Sequence, residues 1–463
     1  MLNSILSLPR PGSLLQTVQH RIQRYLGRVL PEVSESVDHH SLRSSESKKD
    51  ASWSSDDKVV HVTRRFSRKS WGGMETRVLE LCREQQKNRA PKVVSTSIYE
   101  EPGSDNIEAL SVERFGYHYP VLGLPEATRV AMDQVGGNLV SWGLFQRILR
   151  EPKLKLVHAH CTKRLGSLAW LASVIRGVPF VVTLHGDVLS LPSAQQERFD
   201  EQASKGLEWG KAIGLVSQSR RLLERADAVI AVGRVEYEAL VEKLGSDKVH
   251  FVPGGVDYQR FSKGNGALLR RELGISQQAP LLTQVGRIDP QKNQIFSVEL
   301  LHSLHQQGIH AHLLCVGPVT DQAYQRQLLE TVERLGIQRV VHFLELDYKD
   351  PRLQGAFHAA DVVLQPSLHE PFGLTVLEAW CASTPVLASN IGGLRELVQD
   401  GQGGFSLSPK QLAEWTFRTA WLLRNQRACF DIGQKGLAQV LQKYLWSHVS
   451  ERMDSIYASL LNS

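Results

Sequence analysis

Cysteine is scarce in this chain of 463 residues and badly placed for cross-linking: Cys82, Cys161, Cys315, Cys381 and Cys429 are odd in number and far apart. That argues against a disulfide scaffold or a cysteine metal site, and predicts buried free thiols in a reducing compartment, the cytoplasm. Long apolar runs are missing too, with none near the roughly 18 residues that would cross a bilayer. No Asp-x-Asp cluster is present to hold a metal, and no dense basic and aromatic patch to hold nucleic acid. The net charge of +6 is thinly spread, giving only a mild preference for anionic partners.

Acidic residues are absent from the first thirty positions, which carry Arg10, Arg21, Arg24 and Arg28. Leu14, Leu15, Val18, Ile22, Tyr25, Leu26, Val29 and Leu30 recur at helical spacing, so residues 13–30 read as a basic amphipathic helix. Pro9-Arg10-Pro11 interrupts the only apolar start, which makes it a poor secretory signal. Such a helix either lies on an anionic membrane surface, on the inner membrane face, or docks on the globular body. Residues 31–57 have almost no large apolar side chains and read as a disordered linker.

The rest has ordinary globular composition, 42% hydrophobic and 22% charged, and length enough for two domains. Val59–Thr63, Lys155–His160, Pro179–Leu184, Pro280–Val285, Ala311–Gly317 and Val340–Leu344 read as strands, with helical stretches between several of them, and Pro179–Leu184 is continuously apolar. Continuous apolarity predicts strands buried on both faces, hence parallel sheets of Rossmann-like α/β type. Residues 163–175 and 321–335 read as helices, as do the charged stretch Glu197–Arg225 and residues 409–463.

Chemistry concentrates where strands end. Gly72-Gly73 lies between a strand and a helix, where a backbone without Cβ can approach phosphate and the helix dipole points at it. His185 follows the strand ending at Leu184, at a carboxyl end where open α/β sheets bind ligands. In Val285-Gly286-Arg287-Ile288-Asp289-Pro290-Gln291-Lys292-Asn293 two cations follow a glycine turn, a planar fork and a point charge suited to pyrophosphate. The run Pro366 to Ala379 reads as a strand end, a turn and a helix start, with Glu370 before the helix and Glu378 inside it. Unpaired N–H groups there attract phosphate, and a carboxylate can hold two hydroxyls, so the local chemistry suggests a sugar and a phosphate together.

Glu370 and Glu378, seven residues between them and Pro371-Phe372-Gly373 after the first, resemble the signature of glycosyltransferase family 4, retaining enzymes of the GT-B fold. Thr384–Ser389 and Ile391–Glu396 extend the likeness over about thirty residues. The resemblance implies two facing Rossmann-like domains with parallel sheets and an interdomain cleft, over residues 58–257 and 279–439. Residues 258–278 would connect them, and residues 440–463 would cross back onto the first. It also implies that Glu370 contacts the donor sugar and Glu378 the ribose, and that Arg287 and Lys292 clamp the diphosphate. Gly72 and Gly73 would approach it from the other domain, with His185 near the sugar and acceptor. Phe372, Gly373, Leu374 and Thr375 complete the donor site. The co-substrate would be a nucleotide diphosphate sugar, with no metal and no other cofactor, and the acceptor a glycan or a lipid-linked sugar.

Two departures from the family's pattern stand out. Gly254 replaces the usual Asn before Gly255-Val256-Asp257, and Glu345 stands where a base-contacting glycine is common, so the base is not readable. Three rivals remain at this stage: a glycoside hydrolase using the two carboxylates, a nucleotide-sugar epimerase, and a silent subunit supporting a partner.

Overall fold

A computed structural model describes residues 53–186, 207–208, 221–346 and 348–462. The amphipathic stretch 13–30, most of 31–57 and most of 197–225 lie outside the described residues. In chain order the strands are β1 (Lys58–Thr63), β2 (Ala90–Thr96), β3 (Gly103–Ile107), β4 (Leu110–Phe115), β5 (Val121–Leu122), β6 (Leu154–Ala159), β7 (Phe180–Leu184), β8 (Leu207–Glu208), β9 (Ala228–Ala231) and β10 (Val249–Phe251). There follow β11 (Leu281–Val285), β12 (His312–Val316), β13 (Val341–Leu344), β14 (Val362–Gln365), β15 (Val386–Ser389), β16 (Gln399–Asp400) and β17 (Gly403–Leu407).

Ten of these strands take part in a first sheet or a small hairpin-like pair. The sheet runs β10-β9-β7-β6-β1-β2-β4-β3, parallel except for the antiparallel edge pair β3 and β4, and β5 pairs with β8. The second sheet runs β13-β12-β11-β14-β15-β17-β16 and is parallel throughout. Of the predicted strands, β7 and β11 are buried at every residue, as are β14 and β15, which are not among them. β13 departs from the expectation: it is the edge of its sheet, buries only Val341 and leaves Phe343 exposed. Two parallel-sheet α/β units of Rossmann type are therefore the architecture.

The strand order decides where chemistry can occur. In each sheet the chain starts in the middle and works outward in both directions. Next to β1 lie β2 on one side and β6 on the other; next to β11 lie β12 and β14. Connections leave such a pair toward opposite faces, so a crevice opens at the carboxyl ends of the two central strands. The crevices lie between the loops after β1 and β6, and between the loops after β11 and β14.

The C-terminal stretch 409–463, expected as helical, is three helices, Leu412–Arg424, Gln426–Lys443 and Trp446–Leu461, broken at Asn425 and at Tyr444-Leu445. The last of them leaves the second unit and packs on the helix Gly73–Gln85. Trp446, Val449, Met453, Ile456 and Tyr457 share one apolar cluster with Val59, Leu81, Leu156 and Val181 of the first unit. The return is fastened beside the outward crossing, where Val256 N–H donates to Tyr444 O at 2.8 Å. Of the stretch Glu197–Arg225, expected as helical, the described parts are the strand β8, where the expectation fails, and Arg221–Arg225, whose last four residues form a single helical turn. Residues 258–278 are more than a connection. Phe261, Leu269 and Ile275 are buried in the same cluster as Val363 and Trp380 of the second unit.

All five cysteines are free, three of them buried and two half-buried. Among the described residues no helix is long and apolar enough to cross a membrane.

Candidate functional site

At the second crevice the loop after β11 meets the loop after β14. Lys292 Nζ donates to Glu370 Oε2 at 2.5 Å, and both side chains are about six-sevenths covered, 15% and 14% exposed. Their positions are 78 residues apart in the chain and are joined only because β11 and β14 are neighbours. Each is held from behind. Gln284 Nε2 donates to Lys292 O at 2.6 Å, and Ser297 Oγ donates to Gln284 Oε1. Gln365 Nε2 donates to Glu370 Oε2 at 3.2 Å, while Glu370 O accepts from Gly393 N–H. A Lys–Glu pair with this little exposure is costly to desolvate, so its geometry has to be held by neighbours.

Arg287 is placed differently. Its guanidinium is half exposed, with Nη2 3.2 Å from Asp289 Oδ2 and 3.1 Å from Gln291 Oε1. Asp289 is buried and also accepts from Lys292 N–H at 3.0 Å, so one carboxylate shapes the loop and points the guanidinium. The sequence motif contains Asp289, but only the fold shows this role.

Below Glu370, Gly373 begins the helix Leu374–Cys381. Its φ of 106° is a left-handed conformation that favours glycine, and no side chain caps the helix. The first-turn amides of Leu374 and Thr375 therefore face the crevice. Glu378, one turn further on, is partly buried; desolvation pushes its carboxyl up to about 7, against the pull of Arg260 and Lys292. Arg260, unnoticed in the sequence, lies with its guanidinium 3.9 Å from the centre of the Tyr348 ring.

The first unit closes over this from the opposite side. Trp71 stacks on Tyr348 with ring centres 5.5 Å apart, and Lys349 pairs with Glu108 at 3.0 Å. A Cβ at Gly73 would sit 3.4 Å from Leu374 Cδ1, so the Gly72-Gly73 turn faces the helix start across van der Waals distance. Phe372 reaches across too: a Cβ at Gly254 would come within 2.7 Å of its ring and 2.8 Å of Leu374. That is a physical reason for glycine at 254. We expect Gly254→Asn to cost about 1–3 kcal/mol, as overpacking does. Urea unfolding of the two proteins measures it, and equal midpoints would show that Phe372 does not need that space.

His185 follows β7, half-buried, with Gly186 packed against Pro371. Desolvation, then the charge of Arg77, lower its pKa to about 3, so it is a neutral imidazole near pH 7. It is not alone. His160 Nδ1 lies 3.2 Å from His185 Nε2, and His61 and His158 stand behind it. The sequence shows His158-Ala159-His160 as part of a strand and gives it no role; only adjacency of β1, β6 and β7 brings these rings together.

The structure thus brings Lys292, Glu370, Gly373, Leu374 and Thr375 into one crevice, with Glu378 in the same helix and Arg287 at the rim. Gly72, Gly73 and Phe372 lie where the two units meet, and His185 stands on the other side of Pro371.

Known proteins resemble this chain over both units. Residues 72–255 match the family described as Glycosyl transferase 4-like domain, and residues 267–439 match Glycosyl transferases group 1. A D-inositol 3-phosphate glycosyltransferase of Nocardia farcinica is 31% identical over 312 residues, 66% of this chain and 66% of that protein. An alpha-maltose-1-phosphate synthase of Mycolicibacterium smegmatis is 28% identical over 65% of this chain and 78% of its own length. Among solved structures, Anabaena HepE in complex with UDP superposes with a TM-score of 0.66 at 20% identity, covering 87% of this chain and all of that one. Sucrose-phosphate synthase of Thermosynechococcus elongatus gives 0.65 at 21%, covering 87% and 99%. With two family domains matched in the order and at the places where the two sheets lie, this chain belongs to the GT-B glycosyltransferases, with a glycosyl transferase 4-like first half and a group 1 second half.

Proposed function

We propose that this protein transfers a sugar from a nucleotide diphosphate sugar to a glycan or lipid-linked acceptor, with retention of anomeric configuration. The observation that carries the reading is the Lys292–Glu370 pair set beside the uncapped helix start at Gly373. A cation and free amides address a diphosphate, and a carboxylate beside them addresses sugar hydroxyls.

In this reading the bond between the anomeric carbon and the leaving phosphate oxygen breaks first. Lys292, Arg287 and the amides of Leu374 and Thr375 take up the negative charge that grows on the diphosphate, which is electrostatic preorganisation. The acceptor oxygen attacks the short-lived oxocarbenium ion on the same face, and its proton passes to the departing phosphate. Glu370, already bonded by Lys292 and Gln365, holds hydroxyls and is no nucleophile. Glu378 holds the ribose. His185, being neutral, orients a hydroxyl instead of donating charge. These cations would stand in for a metal ion.

The relatives bear on the substrates. HepE was solved with UDP and with UDP-glucose, which favours a uridine donor here. The first-named relatives act on or make phosphorylated small molecules, by their names, so a phosphorylated acceptor joins the glycan and lipid-linked ones as a candidate.

Thermal unfolding against UDP, GDP, ADP and their sugar conjugates tests the reading. A ligand that binds only the folded state raises its stability by mass action, about 2.7 kcal/mol at a hundred times Kd. One nucleotide series is expected to stabilise the protein. No shift with any of them would leave a silent subunit as the better account.

A further inference from the structure

Behind His185 the polar groups form a line. Gln85 Oε1 lies 2.9 Å from His61 Nε2; His61 Nδ1 lies 3.0 Å from His160 Nε2; His160 Nδ1 lies 3.2 Å from His185 Nε2. His61 and His160 are buried, 0% and 6% exposed, and Gln85 is fully buried. His185 Nδ1 has no hydrogen-bond partner among the described residues.

A neutral imidazole carries one N–H and one bare nitrogen, and which is which follows from its partners. An amide oxygen only accepts, so His61 must carry its proton on Nε2. Its Nδ1 is then bare and can only accept, which requires the proton of His160 on Nε2. His160 Nδ1 is bare in turn, which requires the proton of His185 on Nε2. The chain of partners runs one way and ends at the crevice. We propose that His61 and His160, anchored by Gln85, are positioning residues that lock His185 in the Nε2–H tautomer and present its bare Nδ1 as an acceptor to a substrate hydroxyl. The role of that hydroxyl rests on the glycosyltransferase reading above; the locked tautomer does not.

Two further observations support the line. The rings have to be neutral for the argument to hold, and burial, joined by the charges of Arg77 and Arg89, holds all of them well below the ordinary histidine value. A metal is the competing use, since nitrogens of His61, His158 and His160 lie within 4.8 Å of one another. Every nitrogen of these three rings already has a protein partner, His158 bonding Tyr457 OH at 2.6 Å and Thr183 Oγ1 at 2.7 Å. A cation would have to displace three of those partners beside Arg77, so the hydrogen-bonded line is the better account.

The test is nitrogen-15 NMR of the full chain labelled at histidine, with His185 assigned from His185→Asn. The imidazole nitrogens distinguish the two tautomers and the imidazolium directly, without any substrate. The expected spectrum has His61, His160 and His185 all protonated on Nε2. Gln85→Leu, far from the crevice, should release His185 into a mixture of tautomers. His185 protonated on Nδ1, doubly protonated, or unchanged in Gln85→Leu overturns the proposal. A spectrum that changes on adding zinc ions at stoichiometric level, with loss of the Nε2–H signals, overturns it in favour of the metal site. UDP titrated into the same samples keeps the two readings apart: a locked tautomer with no effect of any nucleotide would retain the relay and remove the donor site. If UDP-glucose turns over, Gln85→Leu should lower kcat with KM for UDP-glucose nearly unchanged. Loss of a tautomer-fixing partner elsewhere costs up to about 10⁴-fold, and the more distant Gln85 should cost about tenfold.

Discussion

Lys292→Ala should lower turnover by about 10²- to 10³-fold, the size expected when one preorganised group facing developing charge is removed. It should also abolish the stabilisation by nucleotide that the unmutated protein shows. The same change leaves Glu370, only 14% exposed, without its cation, with just Gln365 Nε2 still donating to the carboxylate. Breaking one side of such a buried pair costs about 3 kcal/mol. Loss of activity could then be loss of fold, so the informative comparison is Lys292→Met with Glu370→Gln together. That double change removes both charges and keeps the volume. It should recover most of the unfolding free energy while remaining inactive. A single variant that keeps full turnover would remove Lys292 from the chemistry and with it the central assignment.

Acid should destabilise the protein steeply between pH 6.5 and 5. His61 is lowered to about 4 and His185 to about 3, and His158 and His160 also lie well below the ordinary value, burial being the first cause for each. The sign follows from proton counts. Unfolded, each imidazole titrates near 6.5; folded, it stays neutral to lower pH, so the unfolded chain binds more protons in that window. The stability these rings confer is therefore complete above about 6.5 and is lost as pH falls toward their folded values. At about 1.4 kcal/mol per pH unit, His61 alone costs about 2 kcal/mol at pH 5. Glu378 works in the opposite sense: raised to about 7, it destabilises as pH climbs from its unfolded value toward 7. Glu75, Glu80 and Glu396, also raised by burial, act with it, while His118, His250, His312 and His342, lowered by burial, add to the histidine side. Urea unfolding at pH 7, 6 and 5 measures the slope. His160→Asn, with one titrating ring fewer, should flatten it; a flat profile in the unmutated protein would mean that the rings are not buried as a neutral set.

Much of this was legible in the sequence because some patterns are local. Continuous apolar runs such as Phe180–Leu184 could only be strands covered on both faces, and Gly373 before an apolar helix could only be a turn presenting amides. The helix Gly73–Gln85 shows where local reading stops. Met74, Val78, Leu81 and Cys82 mark one apolar face, yet the structure also buries Leu79, Arg77 and Glu80. The reasons are distant: Leu81 turns to the helix Trp446–Leu461, Leu79 packs with Val78 and Cys82 against Phe66, Val93 and Val112, and Arg77 donates to Val252 O at 2.7 Å. No periodicity within thirteen residues can announce a partner almost four hundred positions away.

What the sequence determined by itself is the α/β alternation and the chemical types gathered at strand ends: Arg287, Lys292, Glu370, Glu378 and His185 sit in short stretches whose residue spacing is visible in one dimension. What only the tertiary structure decided is who meets whom. Lys292 finds Glu370 because β11 and β14 are neighbours, and His61 finds His160 because β1 lies beside β6. Glycine stands at 254 because Phe372 crosses from the other unit. Strand order is set by which packing buries the most apolar surface under the handedness of the crossovers, a property of the whole chain that no segment carries alone.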